Sequence, residues 1–380
     1  MMKAIVIGGG VIGAAVAFRL AEAGTSVTLI EAGRIAEGTS MTSFAWVSAC
    51  EKINSDSYYR LSLAAVAAHL DLVAEFGAAG NWYHRPGVIQ WLGAGYEGMA
   101  LAESPLFQKL DRLAALGYPA ERIGAGDLAR LEPRLCPAAL GIGEEAIHYP
   151  EDGYVEAPVM IGALIEAAIV RFGMELRTQT AVRRLITDNG RATGVETASG
   201  ETLSADVVIN CAGRWANEVV GSPDLTIPLT PTLGLIAYTS SVGTAIRKVL
   251  RTPYLNVRAD GGGRLLLRAN DLDETLAADD VARPDHPAAI ELARRLGELV
   301  PALVGIHAEA ARIATRPIPQ GGLPCVGTLP GLDNYWVAVT HGGINTSALI
   351  GIALRDEILE GRPAPEYAPY RPDRFFKAAA

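Results

Sequence analysis

The chain is 380 residues long, 49% hydrophobic and 20% charged, with a formal net charge of −9. That length and apolar content exclude a disordered chain and imply a large core spread over more than one domain. The acidic balance, with no Lys/Arg run against it, excludes a nucleic-acid surface and requires a local cluster of cations wherever an anionic substrate binds.

Residues 3–31 come first and carry the densest signal. Ala4–Ile7 is a short apolar run, as in a strand buried on both faces. Gly8, Gly10 and Gly13 follow in the spacing G-x-G-x-x-G. Glycines so placed allow a tight turn, close backbone approach to a pyrophosphate and close packing of helix on strand. A helix is predicted over Val11–Ala23, with Val11 and Ile12 in a first turn whose N–H groups and positive dipole end face phosphates. Gly24 ends it, Val27–Ile30 forms a second strand, and Glu31 at its tip is placed to accept hydrogen bonds from ribose hydroxyls. This βαβ unit predicts a bound dinucleotide. Glycines break the apolar residues 4–18 where a turn is needed, so they are not read as a leader.

A stretch rich in small hydroxyl residues, 36–43, comes next. Leu61–Phe76 reads as an Ala-rich helix, Gly87–Leu92 as a strand, and Ser104–Leu116 and Ala125–Leu131 as helices. Pro158 suits the first turn of a helix running to Phe172. Glu166 interrupts the apolar run Ile161–Val170, and no other segment approaches the roughly 18 apolar residues of a membrane span. Ala192–Glu196 and Glu201–Ser204 form a hairpin through Ser199-Gly200, and Asp206–Asn210 is a buried strand closed by Cys211-Ala-Gly213. Residues 229–238 and 253–268 alternate like strands of a mixed or antiparallel sheet. Ala288–Leu299 reads as a helix, Tyr335–Val339 as a strand, and Ile344–Leu359 as a helix after a glycine loop. Cys50, Cys136, Cys211 and Cys325 form no CxxC pair and the six histidines show no ligand spacing. Reduced thiols, a cytoplasmic setting and no metal are therefore expected, with peripheral contact at the inner face of a membrane left open.

In this order the motifs resemble the D-amino-acid oxidase family of flavoproteins, which includes glycine oxidase, sarcosine oxidase and D-amino-acid dehydrogenase subunits. The resemblance covers nearly the whole chain. It rests on the glycine turn with Glu31, the Gly38–Ser43 loop, Gly153-Tyr154 before a helix, and Ala205 through Gly213-Arg-Trp215. At the C-terminal end it rests on Arg316-Pro-Ile-Pro-Gln-Gly-Gly-Leu-Pro324 and Thr340-His-Gly-Gly343. It implies an α/β fold: a Rossmann-like FAD-binding domain (residues 1–80, 148–222 and 312–380) interleaved with a smaller α+β substrate-binding domain (81–147 and 223–311) on a mixed or antiparallel sheet. The ligand cleft is expected where the two meet.

The implied cofactor is non-covalent FAD. The βαβ unit would hold the ADP half, Val182 would pass the adenine, Thr42 and Ser43 would lie along the pyrophosphate, and Gly213 would come close to the cofactor. The helix N-terminus at Gly342, Gly343 and Ile344 would face the flavin edge that gathers negative charge on reduction. The family's flavin-linking cysteine would fall near Ala314 or Thr315, away from Cys325. Arg316 matches the carboxylate-binding arginine of glycine oxidase, and its planar fork suits bidentate recognition. Tyr254 matches a tyrosine that assists it, and His341 is a candidate for substrate or flavin contact. His84 and Trp46 are candidate cavity walls, while Arg258 and Arg268 are expected on the solvent side of their strands. The lysine that sarcosine oxidase carries after its Gly-His-Gly is replaced by Ile344.

The activity so implied is oxidation of the C–N bond of a small amino acid or amine. Hydride passes to flavin N5, water hydrolyses the imine to an oxo acid, and oxygen, a quinone or an electron-transfer partner takes the electrons. No catalytic base is assigned, because the amine lone pair drives hydride departure. Two alternatives stand beside it. One is dehydrogenation of a 2-hydroxy acid with His341 or His84 as base; the other is a non-catalytic flavin-binding subunit or assembly factor. A homo-oligomer is open.

Overall fold

The first strand, β1 (Lys3–Ile7), lies inside a six-stranded sheet. A computed structural model describes residues 1–91, 105–136, 145–243, 246–252 and 254–376. The sheet runs Cys325–Thr328, Tyr335–Val339, Val207–Asn210, β1, β2 (Ser26–Ile30) and Glu175–Arg177. Its pairs are parallel except at the Cys325–Thr328 edge. Central strands in such a sheet are covered on both faces, which is why β1 and Val207–Asn210 read as unbroken apolar runs.

Helix α1 (Val11–Glu22) connects β1 to β2 and is buried along nearly its whole length. It is apolar all round because helices Ala157–Phe172 and Gly343–Glu360 both pack on it. Gly351 makes the second contact possible, since a Cβ there would lie 2.8 Å from the Ala15 carbonyl oxygen. Helix Asp56–Phe76 starts five residues before the expected Leu61, because the Ser55 hydroxyl accepts the Tyr58 N–H at 3.3 Å. By length and composition alone Asp56–Ala79 would suffice to cross a membrane. One of its faces, with Leu61, Ala65 and Leu72, is buried in the protein.

The second large sheet has eight strands, in the order Ala308–Arg316, Thr232–Thr239, Arg264–Arg268, Asn256–Asp260, Val249–Arg251, Val88–Trp91, Glu145–Tyr149 and Glu121–Gly124. Only Val249–Arg251 and Val88–Trp91 pair in parallel, so the sheet is mixed as expected. The divisions at 147/148 and 311/312 fall inside its strands Glu145–Tyr149 and Ala308–Arg316. A three-stranded sheet of Trp46–Val47, Gly153–Val155 and Tyr83–His84 ties the hydroxyl-rich loop to both crossings of the chain. Gly153 is required there, because a Cβ would meet the His84 carbonyl oxygen at 1.9 Å. The remaining sheet is the hairpin layer Val182–Asp188, Arg191–Thr197 and Thr202–Ser204. The expected ends at Leu92 and Ser104 lie outside the described residues.

Two expectations about charged residues are corrected. Arg258 is 3% exposed, its Nε donates to the Phe44 carbonyl at 2.9 Å, and its guanidinium lies 4.4 Å over the Tyr154 ring. Arg268 is paired with Asp273 at 2.8 Å. Neither strand alternates in burial as predicted, because the face carrying Arg258 and Arg268 meets the cofactor-side loops instead of water, and each charge is matched by a partner.

Candidate active site

At the carboxyl ends of β1, β2 and Val207–Asn210 runs a cleft of about 630 Å³. Gly8, Gly10, Val11, Ile12, Glu31, Ser43, Val182, Gly213, Gly343, Ile344 and His341 all line it. Gly13 lies beneath the turn, where its own Cβ would sit 1.9 Å from the Gly8 carbonyl oxygen, and Gly8 adopts φ +105°. Glycine alone fits there.

Two helices begin at this cleft with glycines at their N-caps, Gly10 and Gly342, which have no side chain to cap them. Their ends are close: a Cβ on Gly343 would lie 3.5 Å from Ile12 Cδ1. Both present the positive end of a helix dipole to the same space, which therefore favours an anionic ligand. The Val11 N–H donates to Ser40 Oγ at 3.0 Å. The hydroxyl that meets the first helix is thus Ser40; Thr39 lines both the cleft and a neighbouring chamber, and Thr42 lines the chamber alone. Both Glu31 oxygens accept backbone N–H groups at 2.7 Å, from Gly9 and Gly33. That fixes the carboxylate and leaves further lone pairs on each oxygen for a hydroxyl. Trp215, with Arg214 stacked 3.9 Å over its ring, also lines the cleft; the motif around it was legible, its place was not.

The second chamber, about 270 Å³, shares Thr39, Ser43, His341 and Ile344 with the cleft. Its wall includes Lys52, Arg251, Arg268 and Arg316, the cluster of cations that the acidic chain requires. Arg316 ends the strand Ala308–Arg316, and its Nη2 donates to Asp273 Oδ2 at 2.5 Å. Asp273 is buried, and it also accepts from Arg268 and from the Leu235 N–H at 2.8 Å. Arg316 lies flat across Gly234: a Cβ there would meet its Nη2 at 2.0 Å. The displaced atom would be the end of a flexible side chain. Gly234→Ala is therefore expected to fold and keep its cofactor while KM for a carboxylated substrate rises about tenfold, as steady-state kinetics would show.

His341 stands where cleft and chamber join. Its side chain keeps contact with solvent in the cleft. The enclosing protein, then the charges of Arg316, Lys52 and Arg268, lower its imidazole to about 4, so it is neutral near pH 7. Tyr254 does not line the chamber; it lies in the turn between Val249–Arg251 and Asn256–Asp260, and its carbonyl accepts from Arg295 at 2.6 Å. Trp46 is on the chamber wall. His84 is in a separate pocket of about 410 Å³, 3.6 Å from Glu156.

Behind the second helix start, His69 Nε2 donates to the Ile344 carbonyl at 2.8 Å. Burial lowers His69 to about 4, against 6.5 for a free imidazole. The unfolded chain therefore binds the extra proton, and stability falls as pH drops from about 6.5 to about 4. The contribution at stake is roughly 3 kcal/mol. Asp152, raised by burial to about 6, acts in the opposite sense, so the comparison must isolate the histidine. Denaturant titrations of the wild type and His69→Gln should show the wild type losing more stability over that window.

Comparison with known proteins follows the same lines. The family model for DAO, FAD dependent oxidoreductase, matches residues 3–357. The chain belongs to the DAO family of FAD-dependent oxidoreductases. Among curated relatives, glycine oxidase of Geobacillus kaustophilus is 27% identical over 373 residues, covering 96% of this chain and 95% of its own. Human mitochondrial dimethylglycine dehydrogenase is 25% identical over 99% of this chain and 44% of its own. The crystal structure of the Geobacillus glycine oxidase superposes with a TM-score of 0.83, covering 98% of each chain at 24% identity. FAD is the cofactor of this DAO-family flavoprotein, and the glycine cradle and paired helix ends fit its diphosphate and flavin edge.

Proposed function

We propose that this chain oxidises the C–N bond of a small amino acid or related amine to an imine, which water hydrolyses to an oxo acid. The observation that carries the reading is the cationic chamber opening directly onto the FAD cleft. Arg316 supports it as the carboxylate site, since only one of its nitrogens is committed to Asp273 among the described residues. The cations on the wall disfavour an ammonium group and so favour the neutral amine, the form whose lone pair drives hydride departure. Bound FAD supplies the hydride acceptor. The N-terminus of Gly343–Glu360 would stabilise the charge that gathers on reduction. Glu51, the acid on the chamber wall, is engaged by Lys109 and Arg251 and is not free to act as a base. Non-covalent attachment is part of the proposal, because Ala314 and Thr315 stand where a linking cysteine would be.

An anaerobic screen of D- and L-amino acids, N-methyl amino acids and 2-hydroxy acids tests the reading by flavin bleaching. Bleaching by hydroxy acids alone would overturn it. His341 is the neutral group placed to serve as base for a hydroxyl, so His341→Gln separates the two chemistries. Amine oxidation should keep its reductive rate to within about tenfold, whereas loss of a required base costs about 10²–10⁴-fold.

A further inference from the structure

We propose that the substrate carries two anionic groups, one carboxylate on Arg316 and a second on Lys52 and Arg251. This rests on the reaction proposed above and names its substrate class, an amino or imino dicarboxylate.

The chamber's cations are spread across it. Arg251, Asn256 and Arg268 form one cross-strand row, with Arg251 opposite Asn256 and Asn256 opposite Arg268. Arg316 ends a strand four intervals from that of Arg251. At the spacing of paired strands the two backbones are about 19 Å apart, so the two arginines reach the chamber from well-separated strands. Arg268 and Asn256 lie on the strands between them, so the two ends offer separate contacts to a ligand.

The end at Arg316 is part-neutralised by Asp273. The end at Arg251 holds more cation than its acid can match. Glu51 is shared between Lys109 and Arg251, the latter at 3.1 Å. Arg251 Nη1 is buried, its contact with Glu51 is an ion pair without hydrogen-bond geometry, and the guanidinium stacks 4.0 Å over Trp46. Lys52 Nζ rests 5.0 Å from the Tyr58 ring and has no hydrogen bond or ion pair among the described residues. Burial, and secondarily Arg251, lowers its pKa despite the attraction of Glu51. A half-buried ammonium beside a guanidinium that shares Glu51 with Lys109 is costly until an anion reaches both. The chamber, at about 270 Å³, is smaller than the roughly 300–1,000 Å³ of pockets for drug-sized ligands and suits a short dicarboxylate.

The test uses the FAD-loaded enzyme and non-reacting probes. Malonate and succinate are titrated against their monoamides by perturbation of the flavin spectrum. The dianions should bind about tenfold or more tightly, as one added charge-assisted contact implies. Lys52→Met should remove that advantage with FAD content unchanged, and Lys52→Arg should restore most of it. Equal binding of dianion and monoamide, no binding of either dianion, or an advantage that survives both Lys52→Met and Arg251→Met overturns the proposal. Reduction by D- or L-aspartate set against asparagine gives a second readout. Amine bleaching without a dianion preference sinks this inference alone. A succinate preference with no amine bleaching sinks the proposed reaction and leaves the doubly anionic ligand standing.

Discussion

Gly13→Ala is expected to yield protein that carries no flavin. The added carbon would sit 1.9 Å from the Gly8 carbonyl oxygen. The Cβ is fixed rigidly to the backbone of α1 and the oxygen is itself backbone, so neither can rotate away and the turn must open. Opening it moves the start of α1, whose N–H groups and dipole form the anionic grip. Gly162→Ala is the control, because nothing lies within 4 Å of its Cβ position in helix Ala157–Phe172. A helical Gly→Ala change without a clash stabilises by about 0.4–1 kcal/mol. Gly13→Ala should lose flavin absorbance and melt lower, whereas Gly162→Ala should keep its flavin and melt slightly higher. Full FAD content in Gly13→Ala would show that the cofactor is gripped elsewhere.

Arg316→Ala should retain FAD and raise KM for a carboxylated amine by on the order of 10²-fold or more. The fold tolerates the loss, because Arg268 still donates to Asp273 through Nε at 3.1 Å and Nη2 at 2.8 Å. What disappears is the planar fork. Arg316→Lys should recover only part of the affinity, since an ammonium offers a point charge and cannot bind a carboxylate in two parallel bonds. An unchanged KM with full cofactor content would remove Arg316 from the substrate site.

The cofactor half of the molecule was legible because its chemistry is local. Gly8, Gly10, Gly13 and Glu31 lie within one βαβ unit, and the helix starts are marked by glycines in sequence. The substrate half was less so. Lys52, Gly234 and Asp273 are far apart in the chain and meet only through the packing of the eight-stranded sheet on the cofactor-side loops. Ala308–Arg316 escaped notice as a strand because its Ala, Glu and Arg residues lack the β-branched pattern, and most of it is half-exposed. Arg258 and Arg268 were misplaced for a related reason. Alternation tells which residues share a face, but not whether water or another sheet's loops cover it. That Ser40 faces the start of α1 while Thr42 lines the chamber follows from how the loop turns, and hydroxyl composition alone does not set its phase.

The two helix starts at Gly10 and Gly342 point their like-signed poles at each other across a gap that an Ile12–Gly343 contact nearly closes. Without a counter-charge between them they repel, and an FAD held there would act as a structural rivet as well as a reagent. Loss of the flavin would then loosen the join between the amino- and carboxyl-terminal segments, an effect readable as a lower melting temperature of the apoprotein.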